Sequence, residues 1–139
     1  MAFHPYLFFG GNCREAFTRY QEVFGGELVL LTPNDMPAEE RPPGGGDFIM
    51  HAALMIDGNL LMASDDPTAD NFGPVQGMQV NVSCPDAGEA KRVFDALAQG
   101  GTVTMPVTAT SWSPAFGMCT DRFGTPWMVS ADQTEGAAS

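Results

Sequence analysis

Few residues in this 139-residue chain have side chains suited to acid–base or metal chemistry, and His51 is the best placed of them. It opens an alternating segment with Ala53 and Met55 on its own face and Met50, Ala52, Leu54 and Ile56 on the other. An imidazole on a small-residue face can serve as a general base near neutral pH. The same pattern also fits a hydrogen-bonded structural histidine at a sheet edge. His4 lies close to Met1 and reads as a surface residue. Cys13 falls where a first helical turn is expected, a position whose free N–H groups and dipole favour a thiolate. No second group for nucleophilic catalysis accompanies it, and a small buried residue at a helix–strand contact accounts for it equally. Cys119 reads as a buried hydrophobe. Ligand binding has better candidates. Gln79, Asn81 and Ser83 alternate with Met78, Val80, Val82 and Cys84, so one face of that strand meets a core and the other something wetter. Trp112, within Ser111–Trp112–Ser113–Pro114, offers an indole that can stack on a flat or cationic ligand, or else anchor its loop.

The elements that must position these residues occur twice. Asn12, Glu15, Ala16, Tyr20, Val23 and Phe24 are replayed 74 positions later by Asp86, Glu89, Ala90, Phe94, Leu97 and Ala98. Gly58, Leu61, Met62 and Ser64 are replayed 66 positions later by Gly124, Trp127, Met128 and Ser130. Two copies are too few for a solenoid, so two sheet modules that bury each other's faces are expected, at about 1–66 and 77–132. In the first, a strand over Tyr6–Phe9 precedes a helix that starts at Asn12 with Glu15 completing a capping box, and Gly25–Gly26 stops it. A strand over 27–32 leads into a proline- and glycine-rich loop over 33–47 that cannot hold regular structure and is expected to be mobile. Phe48–Ile56 and Leu60–Ser64 form a hairpin around Asp57–Gly58–Asn59, and 65–77 is a polar connector. The second module repeats the order: a strand over 78–84, a helix capped by Asp86 and Glu89 and ending near Gln99, then strands near 102–108, 116–120 and 127–131. The tail from Asp132 is expected to fray. Trp127 should point into the helix-packed core, because its neighbour Met128 has the opposite parity.

Bulk properties narrow the function class. With 44% hydrophobic residues, one domain can fold without disulfides, and three cysteines without a C-x-x-C pair fit a reducing cytoplasm. No export signal or bilayer-length apolar run stands out. Seventeen acidic residues against six basic give a net charge of -11, which repels phosphate backbones and argues against a nucleic-acid partner.

The stretches PYLFFGGNCREAFTRYQEVFGGEL at 5–28, HAALMIDGNLLMASD at 51–65 and FGMCTDRFGTPWMVS at 116–130 resemble the PhnB-like branch of the vicinal oxygen chelate superfamily, which includes glyoxalases, extradiol dioxygenases and bleomycin-resistance proteins. The resemblance implies an α+β fold: tandem βαβββ modules forming curved, mostly antiparallel sheets around a cleft, with helices on the outer side. It also implies a single glyoxalase-like domain and a homodimer. Some members carry a ubiquinone-methyltransferase name, yet the sequence lacks the glycine-rich strand-to-helix turn in a doubly wound sheet that a methyl donor ordinarily needs. Enzymes of the superfamily hold a divalent metal at four positions, which alignment places at Pro5, Met62, Gln79 and Met128. None is His, Asp or Glu, and a hard divalent ion needs such ligands. Cu(I) on Met62 and Met128, or a displaced site on His51 and Cys119, are weaker alternatives. The expected role is therefore binding of a small organic molecule without a metal or other cofactor, through Gln79, Asn81, Ser83, Trp112, Met62 and Met128. The alternatives are a lyase or dioxygenase with noncanonical metal ligands, an isomerase working through His51, and a resistance-type sequestering protein. Elemental analysis of protein purified without chelator is expected to find less than one equivalent of divalent metal per chain; a full equivalent would show that other donors assemble a site.

Overall fold

The structure, a computed structural model, describes residues 1–40, 48–66 and 75–133. The loop tip at 41–47, most of the connector and the end of the tail lie outside the described residues. The chain divides into two compact units, and each repeats one plan. In the first, β1 (Tyr6–Phe9), α1 (Cys13–Phe24), β2 (Glu27–Leu31), β3 (His51–Ile56) and β4 (Asn59–Asp65) form a four-stranded sheet in the order β1-β4-β3-β2. In the second, β5 (Val80–Cys84), α2 (Ala87–Ala98), β6 (Thr102–Thr108), β7 (Phe116–Thr120) and β8 (Pro126–Ala131) form a sheet in the order β5-β8-β7-β6. The first and last strands of each module run parallel and all other pairs are antiparallel.

Each helix covers one face of its own sheet. Cys13, Ala16, Phe17, Tyr20 and Val23 form the buried stripe of α1, and the sheet answers with Leu7, Phe9, Ala52, Leu54, Leu61 and Ala63, all buried. In the second unit Ala90, Val93, Phe94 and Leu97 are buried on α2, and Cys84, Cys119, Trp127, Val129 and Ala131 are buried on the strands. Trp127 is 1% exposed and its Nε1–H donates to Asp121 at 2.8 Å, so it occupies the core that its parity requires.

Several expected details are corrected. Asn12 makes no side-chain capping bond; its backbone, at φ -110° and ψ 21°, is not the extended conformation in which a side-chain oxygen reaches the first turn. The cap comes from Asp65 at the end of β4, whose Oδ1 accepts from Gly11 N at 3.0 Å and Cys13 N at 2.9 Å while Oδ2 accepts from Ile49 N at 2.9 Å. Asp65 is thus a buried strand residue, 6% exposed, and not the start of a polar connector. The second helix follows expectation: Asp86 accepts from Glu89 N at 2.8 Å. The segment after β2 is not wholly irregular, since Pro33–Asp35 and Ala38–Glu40 form short 3-10 turns, the first held by Asp35 accepting from Thr32 N. The β3–β4 turn places Asp57 and Gly58 at φ 50° and 81°, the left-handed pair that a two-residue hairpin demands.

Replacing Asp65 with Ala strands three N–H groups, two of them buried with their carboxylate, and should cost about 3 kcal/mol or more in urea unfolding, with Asp65→Asn less damaging because an amide oxygen still accepts. A loss below about 1 kcal/mol would remove Asp65 as the tie.

Candidate functional site

Strand pairing decides which side chains share the face turned away from each helix. In the first sheet the register sets Phe8 beside Ser64, Tyr6 beside Met62, Met62 beside Ala53 and Ala53 beside Val29, and it sets Leu31 beside His51. One full row therefore crosses this face, Tyr6, Met62, Ala53 and Val29, and the pairs Phe8–Ser64 and His51–Leu31 share the face with it. The face is apolar and accessible, with Phe8 57%, Val29 51%, Met55 51%, Leu31 40% and Tyr6 39% exposed. Its polar centre is the Tyr6 hydroxyl, 3.2 Å from His51 Nδ1. The Tyr6 ring lies 5.3 Å from Phe8 and 5.8 Å from the His51 ring, both tilted. His51 is hydrogen-bonded, as a structural histidine would be, but it stands on an interior strand and not at a sheet edge.

The second sheet carries a different surface. Asn81 sits beside Met128, Met128 beside Met118 and Met118 beside Met105, so three thioethers and an amide form one row; Ser83, Ser130 and Phe116 form the next. Gln79 just precedes β5, with the parity of Asn81 and Ser83, and all three are exposed. Trp112 is 60% exposed, and its ring meets Phe116 edge-on at 5.5 Å. Its loop is set by Thr110 Oγ1, which accepts from Trp112 N and Ser113 N at 3.3 and 3.1 Å.

Of the residues singled out from sequence, His51 and Met62 thus belong to the first sheet and Gln79, Asn81, Ser83, Trp112 and Met128 to the second. Sequence reasoning missed Tyr6 and Phe8, whose parity opposite to buried Leu7 and Phe9 was the available signal. It also missed Met118 and Met105, because the cross-strand register that aligns them includes bulges within β6. The register also shifts the correspondence between modules. Tyr6 and Asn81 stand at equivalent places beside Met62 and Met128, 75 positions apart, whereas the helices repeat at 74 because the β1–α1 connection is one residue longer. Pro5, outside β1, uses its carbonyl to accept from Met62 N at 3.1 Å.

Phenol, amide and thioether groups at these places do not fit a hard divalent cation, and no group of three or more His, Cys, Asp or Glu is arranged to hold a metal among the described residues. The thiols are buried. Burial, reinforced by the Asp65 carboxylate, pushes Cys13 up from an ordinary 9.0 to about 12. Burial and Asp121 push Cys119 up to about 11, and burial raises Cys84. The thiolate that a helix N-terminus would favour at Cys13 is thus opposed by its surroundings.

This helix-backed βαβββ doublet defines a protein of the vicinal oxygen chelate fold. The family model for 3-demethylubiquinone-9 3-methyltransferase matches residues 1–130, and the chain belongs to that family, of the PhnB-like branch. It is 35% identical over 139 residues to the Escherichia coli protein YjdN, covering 93% of this chain and 94% of the relative. A crystal structure of Pseudomonas aeruginosa PA1353 superposes with a TM-score of 0.87 at 43% identity, covering 96% of this chain and 99% of that one. A Bacillus cereus PhnB protein described with the same methyltransferase name gives a TM-score of 0.74 at 26% identity, covering 94% and 99%. The strand-to-helix turns here do not fit the carboxylate end of a nucleoside-type methyl donor. Asp65 already occupies the N–H groups leading into α1, Asp86 caps α2, and the sheets are not doubly wound.

At pH 8 the native protein should be inert to a disulfide thiol reagent, with three thiols reacting after denaturation. Because the folded thiols keep protons that the unfolded chain releases, this stabilisation is intact below about pH 9 and is lost as pH rises toward 12. Urea midpoints measured across that range should fall less steeply in Cys13→Ala; an unchanged slope would contradict the assignment.

Proposed function

We propose that this protein binds a small organic molecule without a divalent metal ion, using the helix-distal face of its first sheet. The observation that supports this reading is the combination on one face of accessible Tyr6, Phe8, Val29 and Leu31 and half-buried Met62 with the Tyr6–His51 polar contact at 3.2 Å. Binding sites for small molecules are characteristically apolar surfaces with a few placed polar groups. Methionines add polarisable, adaptable contacts that tolerate flat ligands of varied outline. On the second sheet, Gln79, Asn81, Ser83, Met128 and Trp112 offer a more polar surface of their own. The reading includes a homodimer, supported by the exposed apolar edge strand β2, and a cytoplasmic location, supported by three unpaired buried thiols. No described helix is long and apolar enough to cross a membrane.

A second reading draws on the same contact. His51 beside a phenol can move a proton, which would make the protein a metal-free isomerase-type catalyst. Turnover abolished by His51→Ala with binding retained would select it.

The test is a thermal-shift screen with uncharged bicyclic aromatics. A ligand at about a hundredfold its Kd should raise Tm by about 5 °C or more, and Phe8→Asp should abolish the rise while Trp112→Ala leaves it in place. A flat response across the panel, or a shift that survives Phe8→Asp, would sink the assignment to the first sheet.

A further inference from the structure

We infer that the Tyr6–His51 pair makes the first sheet's accessible face selective for flat, uncharged, apolar molecules bearing one hydrogen-bond-accepting oxygen, with His51 Nε2–H as the reading donor. This rests on the ligand-binding reading above and gives it a ligand class.

The tautomer follows from the contact. Tyr6 Oη and His51 Nδ1 lie 3.2 Å apart, so one must donate to the other. A phenol is a better acid than a neutral imidazole and an imidazole nitrogen a better base than a phenol oxygen, so the O–H donates and Nδ1 accepts. The ring proton of neutral His51 is then on Nε2. Tyr6 itself is placed by β1–β4 pairing beside Met62 and by ring contact with Phe8 at 5.3 Å, so the orienting hydroxyl is not held by His51 alone.

The surroundings set the rest of the ligand. Two groups surround the pair: the register row Tyr6, Met62, Ala53 and Val29, and the strand pairs Phe8–Ser64 and His51–Leu31. Neither contains Lys, Arg, Asp or Glu; the nearest acid in register, Glu27, stands opposite Met55 one row further on. A charged ligand would shed hydration here without a partner, whereas an apolar ring system loses nothing by leaving water. Ser64, 8% exposed, pairs with Phe8 and is too shielded to be the main point of polar contact. One ring donor in an apolar field matches one acceptor oxygen, such as a ketone.

The decisive comparison uses two probes of nearly equal outline, 2-acetylnaphthalene and 2-isopropenylnaphthalene, titrated calorimetrically into the full chain. The ketone should bind about tenfold more tightly, the worth of one net hydrogen bond. His51→Leu should bring the two within about twofold, and Tyr6→Phe, which keeps the ring but removes the orienting hydroxyl, should shrink the preference. Independently of any ligand, ring nitrogen shifts in 15N NMR should show His51 protonated on Nε2 in the neutral form. Equal affinities for the two probes, a preference that survives His51→Leu, or an Nδ1-protonated ring would overturn the inference while leaving ligand binding standing. Failure of both probes to bind would count against the binding reading itself, and the NMR result would still judge the tautomer.

Discussion

The carboxylate of Asp65, nearly out of water, accepts from Gly11 N, Cys13 N and Ile49 N, and through these bonds joins the end of β4 to the entry of α1 and the approach to β3. A buried charge is tolerated only when its lone pairs are met, and here three backbone donors meet them. The bonds fix where β1 must stop and where α1 must start, and hence how the helix lies on its sheet. The second module solves the same problem with smaller groups. Ser113 Oγ, 2% exposed, lies 2.8 Å from both Ala115 O and Ala131 O, donating its one proton, and accepts from Ala131 N at 3.0 Å. Asp121 holds the β7–β8 turn through Phe123 N, Thr125 N and the Trp127 indole. Each module is tied at its strand ends by polar groups whose partners are all supplied internally.

With the ends fixed, register leaves no freedom about which residues face away from the helices. A slip of one position would exchange Leu7 and Phe9 for Tyr6 and Phe8 and expose the core. The glycines at the helix-to-strand turns enforce the fit: a Cβ at Gly26 or Gly101 would collide with the carbonyl oxygen of Met55 or Thr120, so both modules need the same residue at the same crossing. Which positions line the accessible faces is therefore set by the packing of the core. In the first sheet it is aromatic and aliphatic around one imidazole, and in the second it is thioether, amide and hydroxyl.

The two modules thus share a backbone plan while their surfaces differ. Met62 and Met128 occupy matching places, but their neighbours Tyr6 and Asn81 do not share a chemistry, and Ala53 faces Met62 where Met118 faces Met128. The family's methyltransferase name finds no support in the strand-to-helix turns, where the chain's own carboxylates stand in the way of an anionic cofactor group. Fold kinship fixes the scaffold, and the side chains upon it must be read for themselves.

The sequence by itself determined the internal repeat, the element order, the Asp86 cap, the Asp57–Gly58 turn and the inward placement of Trp127, because each rests on contacts within a few residues or on strict periodicity. It also placed Met62 and Met128 at matching positions of the two repeats, 66 apart. The Asp65 cap was invisible because its partners lie 54, 52 and 16 positions away and Asn12–Glu15 offered a plausible local substitute. The pairing of Tyr6 with His51, 45 positions apart, and the row of Met105, Met118 and Met128 were likewise hidden, since only cross-strand register brings distant residues onto one row. Local pattern says which face a side chain takes; the tertiary structure alone says which neighbours it meets there.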